Sequence, residues 1–412
     1  MTTRAIHSNR SFRKIWGLVL ALIFSSLFVL FQGGKLALML LIILSCISVY
    51  IFLNRWNGVN SARVSRNISD LTDNQNLPYG TVLDVQIELD IPRKWPIPIM
   101  MVKDYLFTSV GVNNKFEGSF VPDRNRRGEF AYSTPPLTRG LYQFRSVSCI
   151  TPDLFGIFEQ HTEMKLPVKF GVHPKVVDIV KWKKLDKFFR ENRLFASSHG
   201  VQREQTQING IREYIHGDRL SQVHWKSSAR TGVWKSKEFE REAPPKLMIL
   251  LDRHSRSYDH SNQFEMAVSV AASIWRYGIK RKIKTGFISD DGHQLFYVEP
   301  GSIVAQQQME QHFIEVTTHV RSDLFRKHLV GELIVREKCL VVLISPSSGE
   351  KINNWMNGIS IRTTGVIHFK INRDEEQSTS THFAKSLPSA RVSVYPVHKL
   401  EDLPSILSGG NP

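Results

Sequence analysis

Two uncharged apolar runs lie within the first 53 residues, and only four residues part them. Ile15 to Phe31 reads IWGLVLALIFSSLFVLF, and Leu36 to Leu53 reads LALMLLIILSCISVYIFL. Gln32, Gly33, Gly34 and Lys35 make the whole connection. Each run approaches the roughly 20 residues with which a helix crosses hydrocarbon. So short a connection turns the second helix back along the first. The expectation is a two-helix transmembrane hairpin over residues 1–54, with helices at about 15–31 and 36–53. Arg4, Arg10, Arg13 and Lys14 precede the pair, and Arg55, Arg63 and Arg66 follow it, against a single Lys35 at the turn. Lys and Arg in short flanks favour the cytoplasmic face. The sequence thus predicts a multi-pass protein of the cell (inner/plasma) membrane, with both termini and the soluble domains cytoplasmic. A signal peptide is the competing reading, but no small-residue cleavage site precedes Lys35.

Charge is unevenly placed along the 412 residues. The 54 Lys and Arg against 38 Asp and Glu give a formal net charge of +16. Residues 1–66 hold eight of the cations and no acid, and residues 181–246 hold fifteen cations against eight acids. The basic character is therefore local. Cys46, Cys149 and Cys339 are far apart in sequence and form neither a disulfide framework nor a zinc spacing, which points to a reducing compartment.

Beyond the anchor, residues 55–76 are polar and read as a linker. From 77 to 175 the pattern is period-2 alternation broken by Pro, Gly and Asn, as in TVLDVQIEL, IMMVKDYLF and GLYQFRSVS. Short alternating strands of this kind predict an Ig-like β-sandwich. Residues 176–245 are rich in charge. Within them Lys181 to Arg193 has the spacing of a basic amphipathic helix, with Trp182, Leu185, Phe188 and Phe189 on one side. A Lys-rich helix can lie on anionic headgroups, but packing of its aromatics on the sandwich is the favoured reading. From 246 to 400 strand and helix periods alternate. KLMILLD, IKTGFIS, CLVVLIS, GVIHFKI and VSVYPV are strands, and Gln263 to Tyr277 and Val304 to Val316 are helices. This predicts an α/β domain of the Rossmann type, whose ligands bind beyond the carboxyl ends of the strands. Residues 401–412 form a tail.

Gly210 to Glu240 is the densest polar stretch: GIREYIHGDRLSQVHWKSSARTGVWKSKEFE. Arg212, Glu213, Tyr214, Gly217, Asp218, His224, Trp225, Lys226, Ser227, Arg230 and Glu238 fall in it, with no sustained apolar period. The run R-E-Y-x-x-G-D, then H-W-K-S-S-A-R-T-G and K-E-F-E, resembles the signature of the bacterial domain-of-unknown-function 58 family. Upstream, Arg139, Gly140 and Tyr142, then Asp153, Phe155, Gly156 and Phe158, resemble that family's R-G-x-Y and D-x-F-G-x-F stretch. The resemblance implies an α/β domain similar to von Willebrand factor A. It also implies partnership with a MoxR-type AAA ATPase and with a transglutaminase-like membrane protein.

Read by itself, the segment offers two roles. Arg212, Asp218, Arg230 and Glu238 can pair as a network that fixes the segment, since buried charges must be paired. The segment is then a docking or folding centre, and the chain a non-enzymatic, membrane-anchored adaptor or scaffold of an envelope-associated assembly. The alternative is a membrane-bound hydrolase or transferase centred on His224 and Ser227, which needs a base within reach of a hydroxyl and an oxyanion site. The G-x-S-x-G elbow is absent. A mixed-sign segment of this kind does not suit nucleic acid.

The resemblance to von Willebrand factor A brings a metal question. Domains of that type often hold a cation through D-x-S-x-S after the first strand. Here Asp252 is in place, but His254 and Arg256 occupy the two serine positions, and Ser255 and Ser257 are one residue out of register. Pro346, Ser347 and Ser348 supply no later acid, and Arg253 and Arg256 would repel a cation. No metal and no cofactor are expected. His312 and His319, seven apart, are read as lying on the surface of one helix.

Overall fold

The computed structural model describes residues 2–56, 63–69, 71, 75–91, 99–110, 113–123, 125, 127–152, 159–187, 208–239, 246–302, 305–322, 328–337, 339–372 and 391–409. The chain forms two compact units, Met1–His173 and Pro174–Pro412.

The first unit opens with helices α1 (Thr2–Gln32) and α2 (Lys35–Trp56), joined through Gly33 and Gly34 at φ 58° and 96°. Positive φ is readily open to glycine, so this turn follows directly from the sequence. The transmembrane reading does not hold. Among the described residues no helix is long and apolar enough to cross a membrane. The predicted transmembrane hairpin, and with it the multi-pass membrane placement, is therefore corrected. The fold is mixed α/β with several sheets.

Two sheets follow in the same unit. One has the order β1 (Arg63–Ile68), β3 (Asp84–Asp90), β6 (Arg127–Ser133). The other runs β2 (Asn76–Leu77), β8 (Glu159–Val172), β7 (Gly140–Pro152), β4 (Met100–Thr108), β5 (Asn114–Phe120). Strand β3 shows why they pair. Val85, Ile87 and Leu89 alternate inward and share one core with Val102, Leu106, Phe144 and Phe170 of the second sheet. Strand β1 falls in the stretch read as a linker. Its inward residue at the key position is charged, which hides the alternation. Arg66 reaches Asp104 of β4 through Nε at 3.1 Å and Nη2 at 2.7 Å, and the Tyr132 hydroxyl donates to the same carboxylate at 2.7 Å. Arg139 is buried and Tyr142 stacks on Phe170, while Asp153, Phe155, Gly156 and Phe158 lie outside the described residues.

The second unit contains a six-stranded sheet. Its order is β13 (Leu295–Val298), β12 (Lys284–Asp290), β11 (Lys246–Leu251), β14 (Leu340–Ser345), β15 (Gly365–Ile371), β16 (Val392–Val397). All neighbours pair in parallel except β13, which is antiparallel at the edge. The unbroken apolar run of β11 follows from cover on both faces. Leu247, Ile249 and Leu251 pack in one layer with Phe264, Val268 and Ala271 of α5 (Ser261–Lys280). Met248 and Leu250 pack in the other with α7 (His328–Glu337) and α8 (Glu350–Arg362). α6 (Ala305–Glu315) adds Met309 and Phe313 to the α5 side.

Trp182 and Leu185, around the short helix α3 (183–187), are fully buried in the α5 layer of this unit. Trp182 lies 6.0 Å from both Tyr277 and Phe369, ring to ring. The basic stretch thus packs its aromatics on the α/β core rather than on the sandwich. Phe188, Phe189 and Arg193 lie outside the described residues.

Candidate functional site

The segment that stood out in the sequence folds as a two-stranded antiparallel ribbon with a long excursion. β9 (Ile208–Glu213) pairs with β10 (Lys235–Phe239), and α4 (Trp225–Thr231) lies in the excursion between them. Backbone bonds close the base: Tyr214 N–H donates to Trp234 O at 2.9 Å, and His224 N–H to Lys235 O at 2.7 Å. Gly217 at φ 111° and Gly232 at φ 71° turn the chain, the latter as the left-handed C-cap of α4.

Asp218 organises the first turn. Its carboxylate accepts from Arg212 Nη2 at 2.7 Å and from Ile215 N–H at 3.2 Å, while the Tyr214 hydroxyl donates to its carbonyl at 3.2 Å. The Arg212 hydrogen bond and the Ile215 N–H hold the Asp218 carboxyl below the usual carboxylate range. Glu238 sits close enough to Arg212 to raise its affinity for the proton, behind the larger effect of Asp218 itself. Arg212, Asp218 and Glu238 are thus brought together. Arg230 is not. It lies exposed on α4 and, among the described residues, makes no ion pair. The four-member network expected from the sequence is a three-member one.

His224 is a helix cap. Its Nδ1 accepts from Ser227 N–H at 3.0 Å, which satisfies one of the orphan donors of α4 and places the ring proton of the neutral form on Nε2. Ser228, not Ser227, carries the buried hydroxyl. Its Oγ accepts from Lys235 N–H at 2.8 Å and donates to His224 O at 3.1 Å, tying α4 to β10. Among the described residues no hydrogen bond joins the His224 ring to a serine hydroxyl. A nucleophile needs a base at that distance, and the ring nitrogen nearest the serines is already engaged.

The outer side of the segment is aromatic. Trp225 and Trp234 are 60% and 51% exposed with centroids 5.9 Å apart, and Tyr214 meets Trp234 at 5.4 Å. The sequence singled out Trp225 and Tyr214 but not Trp234, and offered Ser228 only as an alternative nucleophile to Ser227. A tryptophan in a segment without apolar periodicity was the available signal for Trp234. Nothing marked Ser228 as the tie between helix and strand, because that role depends on a strand seven residues away.

The carboxyl edge of the six-stranded sheet holds the other sequence-marked residues. The loops after β11 and β14 diverge at Asp252 and Ser345, the switch point of the strand order. Asp252 is buried and accepts from Ser345 Oγ at 2.7 Å and from His254 N–H at 2.9 Å, with Ser257 also bonded to it. Burial pushes its carboxyl above the ordinary range, against those hydrogen bonds. Ser255 opens a short turn, its N–H donating to His319 O at 3.2 Å. Arg253 Nε donates to Thr317 O at 2.8 Å. Among the described residues no group of three or more His, Cys, Asp or Glu side chains is arranged to hold a metal ion.

His312 and His319 do not share a helix surface. α6 ends at Glu315. His312 stacks on Phe296 at 3.8 Å and its Nε2 bonds Ser289 Oγ at 3.0 Å, while His319 bridges to His254. His368 is buried on β15 with Nε2 donating to Ser345 O at 3.1 Å, and burial pushes its imidazole down to about 4.

Strand order and segment together define an α/β chain with an exposed aromatic ribbon. Residues 210–379 match a family model described as "Protein of unknown function DUF58". The chain is 27% identical over 308 residues to "Uncharacterized protein YeaD" of Bacillus subtilis (strain 168), covering 74% of this chain and 72% of that protein. Among solved structures, a CARDB domain of Pyrococcus furiosus is 11% identical, covering 27% of this chain and 88% of its own, with a TM-score of 0.18. The alkylpurine DNA glycosylase AlkC of Pseudomonas fluorescens is 10% identical, covering 35% and 41%, with a TM-score of 0.20. TM-scores this low carry no argument about fold or function.

Proposed function

We propose that this protein is a non-enzymatic adaptor or scaffold that docks a MoxR-type AAA ATPase through residues 210–240. The observation that carries the reading is the outward placement of Trp225 and Trp234 on a segment whose Asp218 and Arg212 are spent on each other. Exposed aromatics on a rigid support are common anchors of protein interfaces. The engagement of His224 Nδ1 as a helix cap speaks for a structural rather than a catalytic histidine. The similarity of residues 210–379 to the family model supports a link to that family's partners, with a transglutaminase-like protein as a second one. On this reading the α/β unit is similar to a von Willebrand factor A domain, and its support is the strand order with one antiparallel edge strand.

The tagged protein, captured from its own cells with and without ATP, tests this reading. A stoichiometric AAA ATPase whose recovery responds to ATP is the expected outcome. The triple variant Asp218→Ala, His224→Ala, Lys226→Ala loses that partner while its circular dichroism keeps the native strand and helix content. Recovery of the protein alone under both conditions overturns the adaptor role.

A further inference from the structure

The same ribbon carries information about the chemistry of what it binds. Residues 208–239 hold six cations and three carboxylates. Arg212 and Asp218 are consumed by their mutual ion pair at 2.7 Å. That leaves five cations against Glu213 and Glu238, and these two carboxylates belong to the strands: Glu213 stands opposite Lys235 in the register, and Glu238 lies beside Arg212. The helix α4 has no acid at all. Its Lys226 and Arg230 are four residues apart, so they share one side of the helix. Both are exposed, and among the described residues neither makes an ion pair. They sit on the helix that begins at Trp225, whose ring meets Trp234, with Val233 next to it at 51% exposure.

An apolar ridge edged by exposed cations is complementary to an apolar side chain edged by carboxylates. Charge of this kind selects and steers partners more than it adds affinity. We infer that the Trp225–Trp234 ridge with Lys226 and Arg230 is a docking face for an acidic protein segment, one that presents Asp or Glu around an aliphatic or aromatic anchor. The inference rests on the docking role proposed above and adds the partner's chemistry. The anchor side chain displaces water from the tryptophan faces, while its flanking carboxylates reach the ammonium and guanidinium groups of α4. Arginine at 230 allows a bidentate contact that lysine could not make.

The test uses the full chain and three fluorescent probes. Two are synthetic peptides of about 15 residues with the same leucines and phenylalanines, spaced by glutamates in one and lysines in the other; the third is a thymidine oligonucleotide of similar length. Fluorescence anisotropy is expected to show the acidic peptide binding at least tenfold more tightly than the basic one, with affinity falling severalfold between about 50 and 300 mM NaCl. Lys226→Glu with Arg230→Glu is expected to lose at least tenfold for that peptide, and Lys226→Arg to keep it. Trp234→Ala is expected to weaken binding at every salt concentration; Val233→Asp serves the same purpose if that variant unfolds. Equal binding of the two peptides, or tighter binding of the oligonucleotide, overturns the inference. Binding that depends on Trp234 but ignores the charge reversals removes the acidic partner and leaves the docking role standing. Binding that ignores both sets of variants removes the docking role as well.

Discussion

The six-stranded sheet and the β9–β10 ribbon belong to the same unit of the chain but are held by opposite means. Every residue of β14 is buried, and β11 sends alternate side chains into two apolar layers. The ribbon buries Val223, Ser228 and Ser236 and leaves Trp225 and Trp234 outside. Its shape comes from directed bonds: a capping imidazole, a buried hydroxyl shared between helix and strand, and an aspartate pinned by an arginine and a backbone N–H. Burial of apolar surface is non-directional and tolerates similar shapes, whereas a hydrogen bond fixes a particular atom pair. On the docking role proposed above, the exposed tryptophans cannot be held by burial, and directed bonds keep them in place. The two aspartates express the contrast in their protons. Burial raises the carboxyl of Asp252 at the sheet edge, and ion pairing lowers that of Asp218 in the ribbon.

The largest effect expected is on the sheet side. Trp182 is fully buried against Tyr277 and Phe369, so Trp182→Ala should destabilise the second unit by about 3–5 kcal/mol in urea unfolding, since truncating a buried aromatic leaves a cavity. A loss below about 1 kcal/mol would mean that the aromatic is not part of that core.

His368 makes the next. In the folded chain its imidazole stays neutral down to about pH 4, whereas an unfolded histidine takes its proton near pH 6.5. Stability from this group is complete above about pH 6.5 and falls as the pH drops toward 4, by on the order of 3 kcal/mol. Asp252 acts in the other direction, since its raised carboxyl favours the folded state as the pH falls. The difference between wild type and His368→Gln, measured by denaturant unfolding across that range, isolates the histidine. A difference that does not change with pH would show that His368 is solvated.

The smallest effect on global stability is expected in the ribbon. The pairing of Asp218 is complete at neutral pH and is lost as the pH falls through its lowered folded value, below the ordinary carboxylate range. The protection of amides 214–218, taken relative to their intrinsic exchange rate at each pH, should then fall on acidification without a shift of the global transition, and Asp218→Asn should show that low protection already at neutral pH. Exchange that follows global unfolding instead would make the ribbon part of the same cooperative unit as the sheet and dissolve the contrast.

Much of this was legible in the residues. The unbroken apolar run from Leu247 to Leu251 announces a strand covered on both faces, and the alternation around Val85, Ile87 and Leu89 announces a half-buried one. The cluster at Arg212 to Glu238 marked the ribbon by its very lack of period. Its internal wiring was not legible. Ser227 and Ser228 are adjacent and chemically identical, and only the pairing of β9 with β10 brings Lys235 N–H to the second of them. Arg230 looked as good a partner for a carboxylate as Arg212, but α4 carries it away from Asp218.

Local periodicity, charge density and glycine placement are properties of neighbours in sequence, and those the chain determines by itself: two N-terminal helices joined at Gly33 and Gly34, alternating strands, then a parallel α/β layer. What the tertiary structure alone decided are the partners chosen across long stretches of chain. Trp182 joins Tyr277 and Phe369, Arg66 enters a core 38 residues away at Asp104, and His319 leaves the helix of His312 to bridge His254. Each depends on which elements pack together. Such a choice is made by the sum of many weak contacts over the whole unit, and no short window of sequence contains it.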